Sequence, residues 1–174
     1  PVDRSDPDSP SAELAVAILP HTSQGESGQP VVYLEGGPGG SALEYLYLTY
    51  DSYFRPFTDA GYDIILFDQR GVGFSKPTLD CPTEDQLFYD LLNNEIDGKT
   101  YNEQEMNELT VQAFTECAAD LNQDTDLSNF NTDANAADVD ALRQALGYEN
   151  WNLWGVSYGT RLALEVLRDY PQGV

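Results

Sequence analysis

The chain has 174 residues, of which 41% are hydrophobic, and its 30 acidic and 8 basic side chains give a formal net charge of −22. This length and apolar content suffice for one sizeable core, while the charge would repel nucleic-acid phosphates and anionic membrane surfaces. Because the sequence also lacks an apolar run long enough for a membrane span, we expect neither a nucleic-acid partner nor a membrane span.

The first part of the chain predicts a leader and then strands. Residues 1–12 are rich in Pro, Ser and Asp and predict a mobile leader, followed over residues 13–174 by one domain or the N-terminal part of one. After the leader, ELAVAILP alternates and then becomes apolar, which is typical of a strand. The unbroken runs at 31–34 (VVYL) and 63–67 (DIILF) predict strands buried on both faces, as in a parallel sheet.

An acidic segment over residues 81–130 is helical in pattern. Its apolar residues form two stripes at helical spacing: Leu87, Phe88, Leu91 and Leu92, then Met106, Leu109, Ala113 and Cys117. We interpret this segment as a helical insert in the domain.

The two cysteines indicate whether the protein is in an oxidising or a reducing compartment of the cell. Cys81 and Cys117 are too few for a zinc site beside a single distant histidine, which leaves a disulfide or two buried thiols. We predict the disulfide, which would stabilise the fold by about 4 kcal/mol in the chain-entropy treatment. A disulfide implies an oxidising compartment. We expect no metal and no cofactor.

The last third predicts a helix, a strand and a second helix. The stretch NTDANAADVDALRQALG predicts a helix with Thr132 or Asp133 as its cap and Gly147 as its stop. A strand at 151–155 and a helix to about Tyr170 follow. Strands that alternate with helices predict a layered α/β fold.

The corner between that last strand and helix reads Gly155-Val156-Ser157-Tyr158-Gly159 and matches G-x-S-x-G. Two glycines allow a tight turn that presents the serine hydroxyl above the sheet at a helix N-terminus. In the simpler interpretation the glycines only allow the helix and strand to pack closely.

A second corner, EGGPGGS, follows the strand at 31–34 and has four glycines in five residues. Its backbone N–H groups could converge on an anion. A phosphate is the competing ligand, but no Gly-Lys-Ser/Thr follows and the adjacent side chain is Glu35. An oxyanion hole therefore fits better.

The third corner, FDQRGVGFS, follows the strand at 63–67. We interpret it as a turn in which Asp68 and Arg70 pair and Gly71 and Gly73 adopt positive φ. This turn would support the site without taking part in the chemistry.

In this order, GGPGGS, DQRGVGFS and GVSYGT resemble the α/β-hydrolase peptidases of the prolyl iminopeptidase and tripeptidyl aminopeptidase group, over residues 30–174. The resemblance implies an α/β-hydrolase fold, a mostly parallel sheet with helices on both faces. It implies Ser157 as nucleophile, Gly37 and Tyr158 as oxyanion-hole donors, and a peptide substrate with a free N-terminus. It also implies secretion or a place in the cell envelope. Glu35 differs, since iminopeptidases usually have His at this position.

The serine needs a base, and the sole histidine is His21. His21 precedes the strand at 31–34, and a strand of that length puts it roughly 15 Å from the catalytic corner. The hydrolase order is Ser, then Asp, then His. We therefore expect a C-terminal half to supply Asp and His, the strand at 151–155 to lie at a sheet edge that this half extends, and the 174 residues alone to be inactive.

Two other functions remain open from the sequence. One is a non-catalytic binding domain on a hydrolase frame, with the acidic segment as a surface for cationic groups. The other is an esterase of the same fold.

Overall fold

The computed structural model describes residues 1–25, 28–82, 86–87, 89–90 and 98–174. The strands are β1 (Val16–Leu19), β2 (Val31–Leu34), β3 (Ile64–Phe67) and β4 (Asn152–Gly155). They form a sheet in the order β1-β3-β2-β4, in which β2 is parallel to β3 and β4, and β1 is antiparallel to β3. The predicted mostly parallel sheet is confirmed, and β4 lies at one edge of these four strands.

The helices are α1 (Leu46–Thr49), α2 (Arg55–Asp59), α3 (Glu103–Leu121), α4 (Thr132–Ala145) and α5 (Tyr158–Asp169). A π-helical turn (Tyr50–Phe54) joins α1 to α2, and short 3-10 turns span Leu127–Asn129 and Pro171–Gly173. In the part of the chain that the structure describes, no helix combines the length and the apolar content needed to cross a bilayer.

The strand sequences follow from burial. All residues of β2 and β3 are buried, so both strands are apolar without alternation. In β1 exposure alternates, with Val16 and Ile18 on the more exposed side. This matches an outer antiparallel strand with one face toward the core.

The sheet has a packed core on each face. One core joins side chains of the sheet to α4 and α5: Val32, Leu34, Ile65, Phe67, Ala136, Val139, Leu142, Trp151, Leu162 and Val166. The other joins the sheet to the segment that leads into α2: Val31, Tyr33, Ala42, Phe54, Ile64 and Leu66. Helical segments therefore pack on both faces of the sheet that contains β2, β3 and β4.

The described residues divide into two compact units, Pro1–Thr78 with Asn129–Val174, and Leu79–Ser128. In the second unit, α3 begins at a capping box in which Asn102 and Glu105 exchange side-chain and backbone hydrogen bonds.

The second predicted stripe lies on the less exposed face of α3, where Ala113 and Cys117 are buried. A disulfide joins Cys117 to Cys81, with Cα atoms 5.7 Å apart. In the other predicted stripe, Phe88, Leu91 and Leu92 lie outside the described residues.

The N-terminal segment, for which composition predicts a mobile leader over residues 1–12, makes specific contacts in the structure. Val2 is buried and its N–H donates to the carbonyl of Pro10 at 2.8 Å. Arg4 forms a 2.6 Å ion pair with Asp138 of α4. Composition indicated mobility because the partner of Arg4 lies far along the chain and leaves no local signal.

The cap of α4 differs from the prediction. The side chain of Asn131, rather than that of Thr132 or Asp133, accepts the N–H of Ala134 at 2.9 Å. Thr132 is already the first helical residue, and its hydroxyl pairs with the Tyr158 hydroxyl at 3.0 Å.

Candidate active site

Ser157 lies on a strained corner between β4 and α5. Its φ is 51°, and among the residues that the structure describes it is the only non-glycine with positive φ. Such backbone costs about 1–3 kcal/mol and persists only where the surroundings enforce it. The side chain makes no capping bond to the helix and is exposed. The corner therefore presents a free hydroxyl at the carboxyl end of the sheet.

The two flanking glycines enforce this corner. A Cβ on Gly155 would overlap the carbonyl oxygen of Gly159, and a Cβ on Gly159 would overlap that of Leu34. The glycines therefore do allow the helix and strand to pack closely, as the simpler interpretation requires. That packing of α5 against β2 is also what holds Ser157 in its strained conformation.

The glycine-rich loop after β2 meets the same corner. A Cβ placed on Gly36 would lie 2.9 Å from Cβ and 3.4 Å from Oγ of Ser157, so only glycine fits there. The next residue, Gly37, has a φ of 111°. Tyr158 is the first residue of α5, where backbone N–H groups have no partner within the helix. The structure therefore brings the predicted donor loop, the serine and the helix N-terminus together.

Glu35 supports this loop through both of its carboxylate oxygens. Oε1 accepts the N–H of Gly36 at 2.7 Å, and Oε2 accepts the Tyr33 hydroxyl at 3.1 Å. Nε2 of Gln69 donates to the Glu35 carbonyl at 3.1 Å. Burial, with the charge of Glu35 second, raises the pKa of Tyr33 well above its usual value. Sequence reasoning missed Tyr33 and Gln69. The signal for Tyr33 was its spacing of two residues from Glu35, because side chains two apart on extended backbone point to the same side.

Asp68 joins the loops that follow β2 and β3. It is fully buried, and its Oδ1 accepts the Ser41 hydroxyl and the N–H of Ala42, both at 2.8 Å. Its Oδ2 accepts the N–H of Phe74 at 2.9 Å. The predicted pairing of Asp68 with Arg70 is wrong, because donors from these two loops already occupy both carboxylate oxygens.

Arg70 instead pairs with Asp138 of α4. Its Nε and Nη2 donate to the two carboxylate oxygens, both at 2.7 Å, and both side chains are buried. Its Nη1 donates to the carbonyls of Val2 and Asn129, both at 2.8 Å. Arg70 therefore fastens the turn after β3 to α4 and to the N-terminal segment. The turn's glycines do adopt positive φ, 80° at residue 71 and 54° at residue 73.

His21 lies at the opposite end of the sheet from Ser157. Its Nδ1 is 2.8 Å from Oδ1 of Asp63, which directly precedes β3. Because β2, β3 and β4 are parallel, the end where β3 begins is the end remote from Ser157. The histidine of this chain is therefore not a partner of the serine.

Comparison with known proteins identifies the fold. Residues 29–174 match the sequence profile of the α/β-hydrolase fold. The chain belongs to the α/β-hydrolase family. The serine protease Hip1 of Mycobacterium tuberculosis is 29% identical to this hydrolase chain over 174 residues, all of the chain but 33% of that protein. Tripeptidyl aminopeptidase of Streptomyces lividans is 30% identical over 164 residues, 93% of this chain and 30% of that protein.

Solved structures of other proteins share this fold. A proline iminopeptidase-related protein of Thermus thermophilus gives a TM-score of 0.51 at 27% identity, covering 93% of this chain and 38% of that one. The proline iminopeptidase of Mycobacterium smegmatis, at 19% identity and a TM-score of 0.53, covers 93% of this chain and 38% of its own and shares the fold.

The names of the two curated relatives describe a serine protease and a peptidase. The hydrolase chain spans about a third of the length of the curated relatives that it matches.

Proposed function

We propose that Ser157 is the nucleophile of a serine peptidase, with the N–H groups of Gly37 and Tyr158 as its oxyanion hole. The observation that carries this proposal is an exposed serine, at positive φ, in contact with a glycine-rich loop. Strained backbone of this kind clusters at active sites. The relatives named as a serine protease and a peptidase support the same assignment.

In the proposed reaction, Oγ of Ser157 attacks the carbonyl carbon of a peptide bond while a base takes the hydroxyl proton. The negative charge that develops on the carbonyl oxygen accepts hydrogen bonds from Gly37 and Tyr158. The carbon–nitrogen bond then breaks, the amine leaves with a proton, and water hydrolyses the acyl-enzyme. Each oxyanion donor contributes about 10² to 10³ in kcat.

The base and its carboxylate partner come from outside these 174 residues in this proposal. His21 pairs with Asp63 at the wrong end of the sheet, and the sequence has no second histidine. The relatives are about three times as long as the chain. We propose that the Asp and His of the triad lie in a further part of the protein, which also completes the sheet.

The proposed substrate is a peptide with a free N-terminus, because the relative from Streptomyces lividans is named a tripeptidyl aminopeptidase. In the full-length protein we expect a tripeptide p-nitroanilide to be cleaved with a kcat/KM at least about 10² higher than its N-acetylated form, since a site that bonds the amine rejects a substrate lacking it. Equal rates on both would contradict aminopeptidase activity, and turnover of esters but not amides would indicate an esterase.

We also propose that the protein works outside the cytoplasm, because the disulfide between Cys81 and Cys117 needs an oxidising compartment. Thiol titration of the purified protein in denaturant without reductant should detect neither of these cysteines. After reduction, both should react. Two reactive thiols before reduction would refute the disulfide and the compartment inferred from it.

A further inference from the structure

We propose that Glu35 is a positioning residue that orients the oxyanion hole through the backbone of Gly36. This inference rests on the proposed function of Ser157 and concerns how its donor loop is held. The Glu35 carboxylate fixes the peptide unit between residues 35 and 36. The bond from the Gly40 N–H to the Gly36 carbonyl fixes the next unit, and the two bonds together set the direction of the Gly37 N–H.

Hydrogen bonds hold Glu35 on both sides. Oε1 accepts the Gly36 N–H at 2.7 Å, and Oε2 accepts the Tyr33 hydroxyl at 3.1 Å. The main-chain oxygen of Glu35 accepts Nε2 of Gln69 at 3.1 Å. Main chain and side chain of this one residue are therefore both anchored where β2 becomes the loop.

The loop needs such an anchor because it is built mostly of glycine. Gly36, Gly37, Gly39 and Gly40 have many accessible conformations, and only some of them would aim an N–H at the reacting oxygen. The backbone bond from Gly40 N–H to the Gly36 carbonyl, at 3.2 Å, closes the loop but leaves the Gly36 N–H to Glu35. With its own N–H engaged, Gly36 cannot compete with Gly37 as a donor.

Tyr33, whose hydroxyl donates to Glu35, is itself held in place by packing. Tyr33 is buried, and its ring makes edge-to-face contacts with Phe54 and Trp154 at centroid distances of 5.2 and 5.0 Å. Burial, together with the charge of Glu35, raises the pKa of Tyr33, so its hydroxyl keeps its proton at neutral and alkaline pH. The Tyr33 hydroxyl is therefore available as a donor to Glu35.

A carboxylate beside the oxyanion loop could instead bind the substrate ammonium directly. The two roles make different demands on the side chain. Positioning needs an acceptor for the Gly36 N–H, which a glutamine also supplies while its NH2 group donates to the Tyr33 oxygen. Ammonium binding needs the negative charge, which glutamine lacks.

The test measures kcat and KM of full-length Glu35→Gln, Glu35→Ala and Tyr33→Phe on a tripeptide p-nitroanilide and on p-nitrophenyl acetate, which has no amine. We expect Glu35→Ala to lose about 10² in kcat on the peptide at nearly unchanged KM, because a donor displaced by about 1 Å costs that much. The ester should lose a similar factor in kcat/KM. Glu35→Gln should restore most of the rate on both substrates, and Tyr33→Phe should lose about 10-fold.

Two results would overturn the positioning role. One is full kcat in Glu35→Ala; the other is a raised KM in Glu35→Gln on the peptide with no loss on the ester, which would assign Glu35 to ammonium binding. If Glu35→Ala does not fold, Glu35→Gln and Tyr33→Phe still decide the question. Ser157→Ala in the same assays distinguishes a failure of the proposed nucleophile from a failure of the proposed role of Glu35. Activity in Ser157→Ala would refute the nucleophile, whereas an inactive Ser157→Ala with a fully active Glu35→Ala would refute only the positioning role.

Discussion

Replacement of Ser157 by alanine should lower kcat of the full-length protein by about 10⁶-fold, as loss of a serine nucleophile does in other peptidases. The change removes only the attacking oxygen. Because the hydroxyl caps no helix N–H and is exposed, its removal should leave the unfolding transition unchanged. The measurement is kcat on a tripeptide p-nitroanilide, with urea unfolding of the same preparation.

Ser52→Ala is the matched control for that change. Ser52 is an exposed serine on the π-helical turn, and its hydroxyl bonds only to the carbonyl of Thr49. This variant should keep the full rate. A Ser157→Ala variant that folds normally and retains ordinary peptidase turnover would remove the basis of the proposed mechanism.

The largest effect on stability is expected from Arg70→Met. Removal of this guanidinium leaves the buried Asp138 carboxylate with Arg4 as its remaining cationic partner, and it leaves the Val2 and Asn129 carbonyls without their donor. Breaking a buried ion pair from one side costs about 3–5 kcal/mol. Urea unfolding of the full-length protein should show that loss as a lower midpoint.

Arg168→Met provides the control, because Arg168 is a surface arginine whose carboxylate partners include Asp169 and Glu165. Exposed ion pairs contribute little, so its unfolding midpoint should not move. The double variant Arg70→Met/Asp138→Leu should be more stable than Arg70→Met, since it no longer buries a carboxylate that has lost its bidentate partner. Equal urea-unfolding midpoints for Arg70→Met and wild type would show that the Arg70–Asp138 ion pair does not hold the turn after β3 to α4.

Local signals were enough to predict the frame of the site. Strands β2 (31–34) and β3 (64–67) are unbroken apolar runs because both of their faces are buried, and burial on both faces is itself a feature of parallel sheets. The serine corner was predictable because G-x-S-x-G lies between a strand and a helix. The contact between the serine corner and the glycine-rich loop was also predictable. Each follows a parallel strand, and the carboxyl ends of parallel strands lie at the same edge of the sheet.

Pairings over long distances in sequence were not predictable in this way. Arg70 was assigned to Asp68 because the two are close in the chain, whereas its partner Asp138 lies on a helix that packs against the sheet. Arg4 pairs with the same residue of that helix, and the composition of residues 1–12 gives no sign of this contact. No residue pattern near position 4 or 70 indicates α4.

The support of the candidate oxyanion loop was hidden for a similar reason. Glu35 was noted only as a departure from the histidine of related peptidases, and its role depends on two side chains that arrive from different positions. Tyr33 reaches it along the same strand, and Gln69 reaches it from the end of the neighbouring strand β3. Strand pairing had to be known before Gln69 could be placed.

The central claim, that Ser157 is the nucleophile, is tested most directly by labelling the full-length protein with a fluorophosphonate and mapping the modified peptide by mass spectrometry. We predict a single modification on Ser157 whose extent matches the loss of peptidase activity, and no labelling after denaturation or in Ser157→Ala. Inactivation with the label on another residue, or full activity in protein that is completely labelled at Ser157, would contradict the account.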